Sequence, residues 1–450
     1  MLRFPEGFVW GSATAALQIE GEHGRGPSVW DDFCRNHPER VYGAATPAVA
    51  CDHARRWEED LDWIARLGHT GYRFSISWPR VVPDGVGRPS AEGLDLYDRL
   101  VDGLLARGVQ PNVTLYHWDL PSALGSWENP QTVDRFLEFA TACFERLGDR
   151  VPLWATLNEP AWTTLNGYVT GLHPPCRKDF RAAIRVAHRM LTAHQRAVQL
   201  YRQGGWKGGV GIALNLCAVR PASGTEEDRA AAHLADGLLN RWFVEPVLLG
   251  CYPADVVALY ERCGLMPDEA LPLTTETADW VGVNYYYPHH AAADAPSTAF
   301  HLNTSGDPAE DCVFSIEGLF RFVRNADGQH TAWGWEIDPS GLHELLLRAH
   351  AYRPGIPVYV TENGIALADD GLEDDERIRF LRAHLEAVHR AITDGVNVCG
   401  YLMWSLMDNF SWVNGYKKRY GFLRVDPRTL ARSPRRSAEW FREGARANGF

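Results

Sequence analysis

The chain has 450 residues, with 45 Lys and Arg against 57 Asp and Glu, and a net charge of −12. Hydrophobic residues make up 45% and charged residues 23%, an ordinary globular composition that excludes disorder, collagen and coiled coil as descriptions of the whole. The acidic balance argues against a nucleic-acid binder, and no window approaches the roughly 18 uninterrupted apolar residues of a membrane span. In chain order, short apolar runs alternate with longer stretches of helical period. A strand is predicted at 8–14, then a helix at 55–67, a strand at 71–77 and a helix at 93–107. The pattern continues with strands at 110–116, 151–157, 209–216, 280–285, 357–361 and 398–404. Helices fall between and after them at 132–147, 179–203, 226–249, 341–352, 374–394 and 434–446. Strict strand–helix alternation reads as an α/β protein, a single (β/α)8 TIM barrel over 1–450 with long βα loops. No Gly-x-Gly-x-x-Gly follows the first strand, which counts against an open dinucleotide-binding sheet. The irregular stretch 288–330, with Pro288, Asp294, Pro296, Ser305, Gly306, Asp307 and Pro308, is expected to be a rim insertion that walls or covers a site.

Met1-Leu2-Arg3-Phe4-Pro5 runs straight into Phe8-Val9-Trp10-Gly11, without a basic segment ahead of an apolar one. No secretory signal is predicted, and a cytoplasmic location is expected. The nine cysteines, at 34, 51, 143, 176, 217, 251, 263, 312 and 399, form no Cys-x-x-Cys and no zinc pattern. They are expected to be free thiols, and neither a metal nor an organic cofactor is expected.

In a barrel of this kind the strand C-termini form the active face. Gln18, Arg73, His117, Asn158, Glu159, Asn284, Glu362 and Trp404 fall at those predicted ends. A polar residue after nearly every strand is costly unless it meets a ligand or a partner. Glu159 ends Ala-Thr-Leu-Asn-Glu and Glu362 ends Val-Tyr-Val-Thr-Glu. Two carboxyls facing each other across a barrel mouth are the requirement for glycoside hydrolysis. Several of the 17 tryptophans lie beside polar residues, among them Trp30-Asp31, Trp118-Asp119, Trp127-Glu128, Trp404-Ser405 and Ser411-Trp412. Flat amphipathic rings of this kind suit sugars, which have an apolar face and polar edges.

The motifs also resemble glycoside hydrolase family 1, the β-glucosidase family, almost end to end. They are Phe8-Val9-Trp10-Gly11-Ser12-Ala13-Thr14-Ala15, Gln18-Ile19-Glu20-Gly21, Tyr72-Arg73-Phe74-Ser75-Ile76-Ser77-Trp78-Pro79-Arg80 and Tyr116-His117-Trp118-Asp119-Leu120-Pro121. Leu157-Asn158-Glu159-Pro160, Val283-Asn284-Tyr285-Tyr286, Thr361-Glu362-Asn363-Gly364 and Trp404-Ser405-Leu406-Met407-Asp408-Asn409-Phe410 complete the set. The resemblance implies a retaining β-glycosidase with Glu362 as nucleophile and Glu159 as acid/base. Arg73 and Tyr286 would attend Glu362. Asn158 would hold the sugar 2-hydroxyl, Gln18, His117 and Trp412 would grip further hydroxyls, and Trp404 would stack on the ring. Trp118 and Asn284 complete the expected sugar-binding ring, and either Trp335 or Trp333 is the expected platform for the leaving group. The expected partner is a small-molecule β-glycoside or oligosaccharide, with no nucleic acid and no membrane.

One position departs from the pattern. The family's glucosidases usually read Asn-Phe-Glu-Trp, whereas this chain reads Asn409-Phe410-Ser411-Trp412. Losing that carboxylate suits either an unphosphorylated glucosyl, galactosyl or fucosyl unit or a 6-phospho-sugar. In the family's 6-phospho-β-glycosidases a Ser here is followed by a Lys and a Tyr, which Ser411, Lys418 and Tyr420 match. Lys417 and Lys418 are two of only four lysines in the chain. Pro160 after Glu159 is the ordinary glucosidase pattern. A transglycosidase and an inactive sugar-binding relative are the remaining alternatives.

Overall fold

The computed structural model describes residues 2–267, 271–273, 278–293, 315–316 and 319–450. Eight parallel strands close into a barrel. They are β1 (Val9–Ala13), β2 (Gly71–Ser75), β3 (Gln110–Tyr116), β4 (Leu153–Asn158), β5 (Gly209–Asn215), β6 (Trp280–Asn284), β7 (Val358–Asn363) and β8 (Val398–Trp404). Each pairs with its chain neighbour, and β1 closes the ring on β8 from Val9 against Gly400 to Ala13 against Trp404. The strands are buried nearly throughout, as a parallel barrel wrapped by helices requires. Gly11 is there for space, because a Cβ on it would lie 1.9 Å from the Gly71 carbonyl oxygen of β2.

The surrounding helices match the predicted ones to within a few residues, with one exception. The helix expected at 226–249 is three pieces: Glu226–Asp236, a π-helical turn Gly237–Arg241, and Trp242–Leu248. Gly237 at one junction and Pro246 inside the last piece are residues that disfavour an unbroken helix. Among the described residues, two further helices of eight or more residues were not expected. Val29–Asn36 is started by a reciprocal Ser28–Asp31 capping box, and Ala254–Arg262 follows the broken segment. Part of the irregular 288–330 stretch is sheet. Phe320–Val323 pairs antiparallel with His289–Ala292, which pairs in turn with Val219–Pro221. Asp294, Pro296, Ser305, Gly306, Asp307, Pro308 and Cys312 lie outside the described residues. The cysteines at the other eight positions are free thiols.

Candidate active site

The C-terminal ends of the strands open on a cavity of about 650 Å³. Glu159 and Glu362 both line it, and both are almost wholly buried. The register slips at the ends of the two strands that deliver them. Beside β4 the pairing with β5 shifts between Ala155 and Asn158. Beside β7 it shifts between Val360 and Glu362 against β6, and between Val360 and Asn363 against β8. Such irregularities re-aim a side chain at a barrel rim. Glu159 adopts φ 50°, ψ 60°, a left-handed conformation costly for a side chain with a Cβ, and Pro160 then starts the short helix Pro160–Thr164. Its N–H is fixed to the Ala213 carbonyl at 2.8 Å. Trp118 (φ 75°) and Trp412 (φ 54°), both on the cavity wall, share this positive-φ strain.

The two carboxyls have different company. Glu362 Oε1 accepts from Arg73 Nη1 at 2.6 Å and Oε2 from the Tyr286 hydroxyl at 2.7 Å. Glu159 Oε1 accepts from the neutral amide of Asn284 at 2.8 Å. Burial and the charge of Glu362 push Glu159 up to about 8, so it holds a proton at neutral pH. Burial raises Glu362 as well, while Arg73 and the Tyr286 hydroxyl oppose the rise and favour the charged form there. Arg73 and Asn284 do not line the cavity; they lie behind the carboxyls. Arg73 also donates through Nε to Thr114 Oγ1 at 3.0 Å and through Nη2 to Asn158 Oδ1 at 2.6 Å. Asn284 donates to Asn158 Oδ1 at 3.0 Å and accepts from Thr361 Oγ1 at 2.6 Å.

The remaining wall offers polar atoms beside flat rings. His117 Nε2 accepts from Asn158 Nδ2 at 3.0 Å, which assigns the ring proton to Nδ1. Burial and nearby Arg73 hold this histidine well below its ordinary range, so the ring is neutral. Its Nδ1 meets no hydrogen-bond partner among the described residues, and neither does Gln18 Oε1. Gln18 Nε2 is spent on the Phe410 carbonyl at 2.7 Å and Asn409 Oδ1 at 3.1 Å. A donor and an acceptor are thus left for a ligand. Gln18 lies on the helical turn Ala16–Ile19 after β1, not at the strand end itself. Trp118 donates its indole N–H to the Asn158 carbonyl at 3.0 Å. The rings of Trp404 and Trp412 lie nearly parallel to His117, at 5.8 and 6.2 Å.

Ser411 and Tyr420 also line the cavity, but Lys418 does not. The Lys418 ammonium lies 4.5 Å from the ring centre of Trp335 and 5.4 Å from that of Trp333. It is buried and has no hydrogen-bond partner among the described residues. Burial and the neighbouring Lys417 charge push it down to about 7. Of the two candidate platforms, Trp335 lines the cavity and Trp333 does not. Trp30 and Trp127 line a separate cavity behind Trp118. Trp162, Asn215, Cys217 and Tyr287 line the catalytic cavity without having been singled out in the sequence. Asn215, the last residue of β5, carried the same strand-end signal as the rest. Trp162, Cys217 and Tyr287 carried none.

The glycosyl hydrolase family 1 model matches residues 1–450. Beta-glucosidase A of Acetivibrio thermocellus is 41% identical over all of this chain and 99% of its own length. The 6-phospho-beta-glucosidase GmuD of Bacillus subtilis is 36% identical over all of this chain and 98% of its own. A solved beta-glucosidase from Thermotoga maritima, in complex with deoxynojirimycin, superposes with a TM-score of 0.90 at 39% identity, with both chains fully covered. With this agreement in sequence, in fold and over the full length, the chain belongs to glycosyl hydrolase family 1 and is a glycoside hydrolase of the retaining β-glycosidase type.

Proposed function

We propose that the enzyme removes the terminal β-D-glucosyl unit from β-glucosides, with Glu362 as nucleophile and Glu159 as acid/base. The unequal company of the two carboxyls carries this reading. The carboxylate of Glu362, held by Arg73 and Tyr286, attacks the anomeric carbon while Glu159 passes its proton to the departing glycosidic oxygen. The C–O bond to the leaving group breaks as the sugar–Glu362 ester forms. Glu159, now a carboxylate, takes a proton from water, which attacks the same carbon. The ester breaks, Glu362 is freed and Glu159 is again protonated. The remaining N–H of Asn158 holds the 2-hydroxyl, Gln18 Oε1 and His117 Nδ1 grip hydroxyls further round the ring, and Trp404 supports its apolar face. Proton NMR of the first turnovers tests this: the first sugar released is the β-anomer, and an α-anomer overturns the assignment. Residues 1–450 act as one catalytic unit. Eight free thiols favour a reducing, cytoplasmic setting.

A second reading is a 6-phosphorylated glycone, favoured by the buried Lys418 ammonium that lacks a hydrogen-bond partner among the described residues. An anion reaching it past Ser411 and Tyr420 would restore its charge. Comparing p-nitrophenyl β-glucoside with its 6-phosphate, in wild type and Ser411→Glu, separates the two. A preference for the phosphate that the variant loses selects the second reading.

A further inference from the structure

Three consecutive tyrosines follow Asn284, and their hydroxyls are used differently. Tyr285 donates to the Asp338 carbonyl at 2.8 Å and Tyr286 to Glu362 at 2.7 Å. The Tyr287 hydroxyl is shut off from solvent and has no hydrogen-bond partner among the described residues. A buried phenol ordinarily finds one, because an unmet hydroxyl loses its bonds to water without replacement. Packing fixes the place of this ring. The Tyr287 ring stacks on Trp335, with centroids 4.7 Å apart and planes inclined by 29°, and meets the edge of His289 at 5.2 Å. Tyr287 and Trp335 form a common wall between the catalytic cavity and a second cavity of about 350 Å³. The ionisable groups that act on the hydroxyl are Cys217, Tyr420 and Glu159. Tyr287 lines the cleft together with Glu159, Cys217 and Tyr420.

We infer that Tyr287 is a specificity-determining residue for the leaving group, its hydroxyl bonding a hydroxyl of a sugar ring that lies against Trp335. The inference rests on the reading of Glu159 as proton donor, since the group beside that donor is the one that departs. Trp335 gives apolar area to any flat leaving group, aryl or sugar. Tyr287 adds a hydrogen bond that only a hydroxylated one can return. A site built around such a bond penalises ligands that cannot make it.

The test compares Tyr287→Phe with wild type on a β-linked glucosyl-glucose disaccharide and on p-nitrophenyl β-glucoside. We expect kcat/KM on the disaccharide to fall about tenfold, with the aryl glucoside within about twofold. Disaccharides lacking one leaving-group hydroxyl at a time give a second readout that needs only the wild-type protein. One of them should lose about tenfold in wild type, and the same one should lose nothing further in the variant. Equal losses on both substrates, or no sensitive hydroxyl in wild type, would overturn the role of Tyr287 alone. A wild-type enzyme that cleaved neither substrate would overturn it together with the proposed function.

Discussion

Replacing Glu159 with glutamine isolates the proton transfer. The amide keeps the length of the side chain and can present its carbonyl oxygen to Asn284, which donates to Glu159 Oε1 at 2.8 Å in the wild type. The fold and the glycone grip are therefore expected to survive. The transferable proton is lost. Positioned general acid catalysis is worth about 10²- to 10⁴-fold, or about 3–5 kcal/mol of barrier. An alkyl or sugar leaving group, a strong base when it departs, should lose kcat/KM across that range. The acidic phenol of p-nitrophenyl β-glucoside needs little protonation, so its first step should fall far less. Its second step still lacks the base that activates water, so the sugar–Glu362 ester should accumulate and appear as a burst of phenol followed by a slow steady rate. The pH profile gives a separate check. Glu159 is pushed up to about 8 by burial and by Glu362, so wild-type kcat/KM should fall on the alkaline side through about that pH. The variant should have no such limb. A Glu159→Gln enzyme that kept kcat/KM on an alkyl glucoside within tenfold, or kept the alkaline limb, would refute the assignment.

Glu362→Gly should abolish hydrolysis while leaving the circular dichroism spectrum of a folded protein; near-normal turnover would sink the nucleophile assignment. The raised Glu159 pKa also bears on stability. The folded state keeps a proton that the unfolded state releases in the ordinary glutamate range, so the carboxyl's contribution to stability declines as pH rises toward about 8. Melting temperatures across that window should fall more steeply for wild type than for Glu159→Gln, and parallel curves would contradict the shift. Arg435 is fully buried, bonds both oxygens of Asp408 at 3.1 and 2.8 Å, and donates to the Gly421 carbonyl. Arg435→Met strands the Asp408 charge and should cost about 3–5 kcal/mol in urea unfolding, a loss under about 1 kcal/mol being incompatible with that account.

Most of the barrel was legible because its strands are buried on both faces and read as apolar runs, each closed by a polar residue that had to face something. Glu159 and Glu362 emerge from that pattern without help from the family resemblance. The π-helical turn within 226–249 was not legible, since the apolar period continues through it and only Gly237 marks its start. Trp30 and Trp127 misled for the converse reason. A tryptophan beside a carboxylate has the same local sequence whether its ring faces a ligand or packs behind Trp118. Arg73, Asn284 and Lys418 show a further limit: the sequence brings them to the right end of the barrel, but not to one side or the other of the layer that touches substrate.

The protonation of the two carboxyls is decided behind that layer. Arg73 bonds Glu362 and Asn158, and Asn284 bonds Glu159 and Asn158, so on the proposed reading each would act on the sugar only through them. Both would therefore set charge and aim from behind the cavity wall. The guanidinium and the Tyr286 hydroxyl are spent on one carboxyl, while the other receives only a neutral amide. With both carboxyls buried in one cavity, that difference selects which of them keeps the proton. Moving the positive charge from Glu362 to Glu159 would move the proton to Glu362 without changing either glutamate. The division of labour thus lies in residues behind the cavity wall, and two glutamates at strand ends would not by themselves define it.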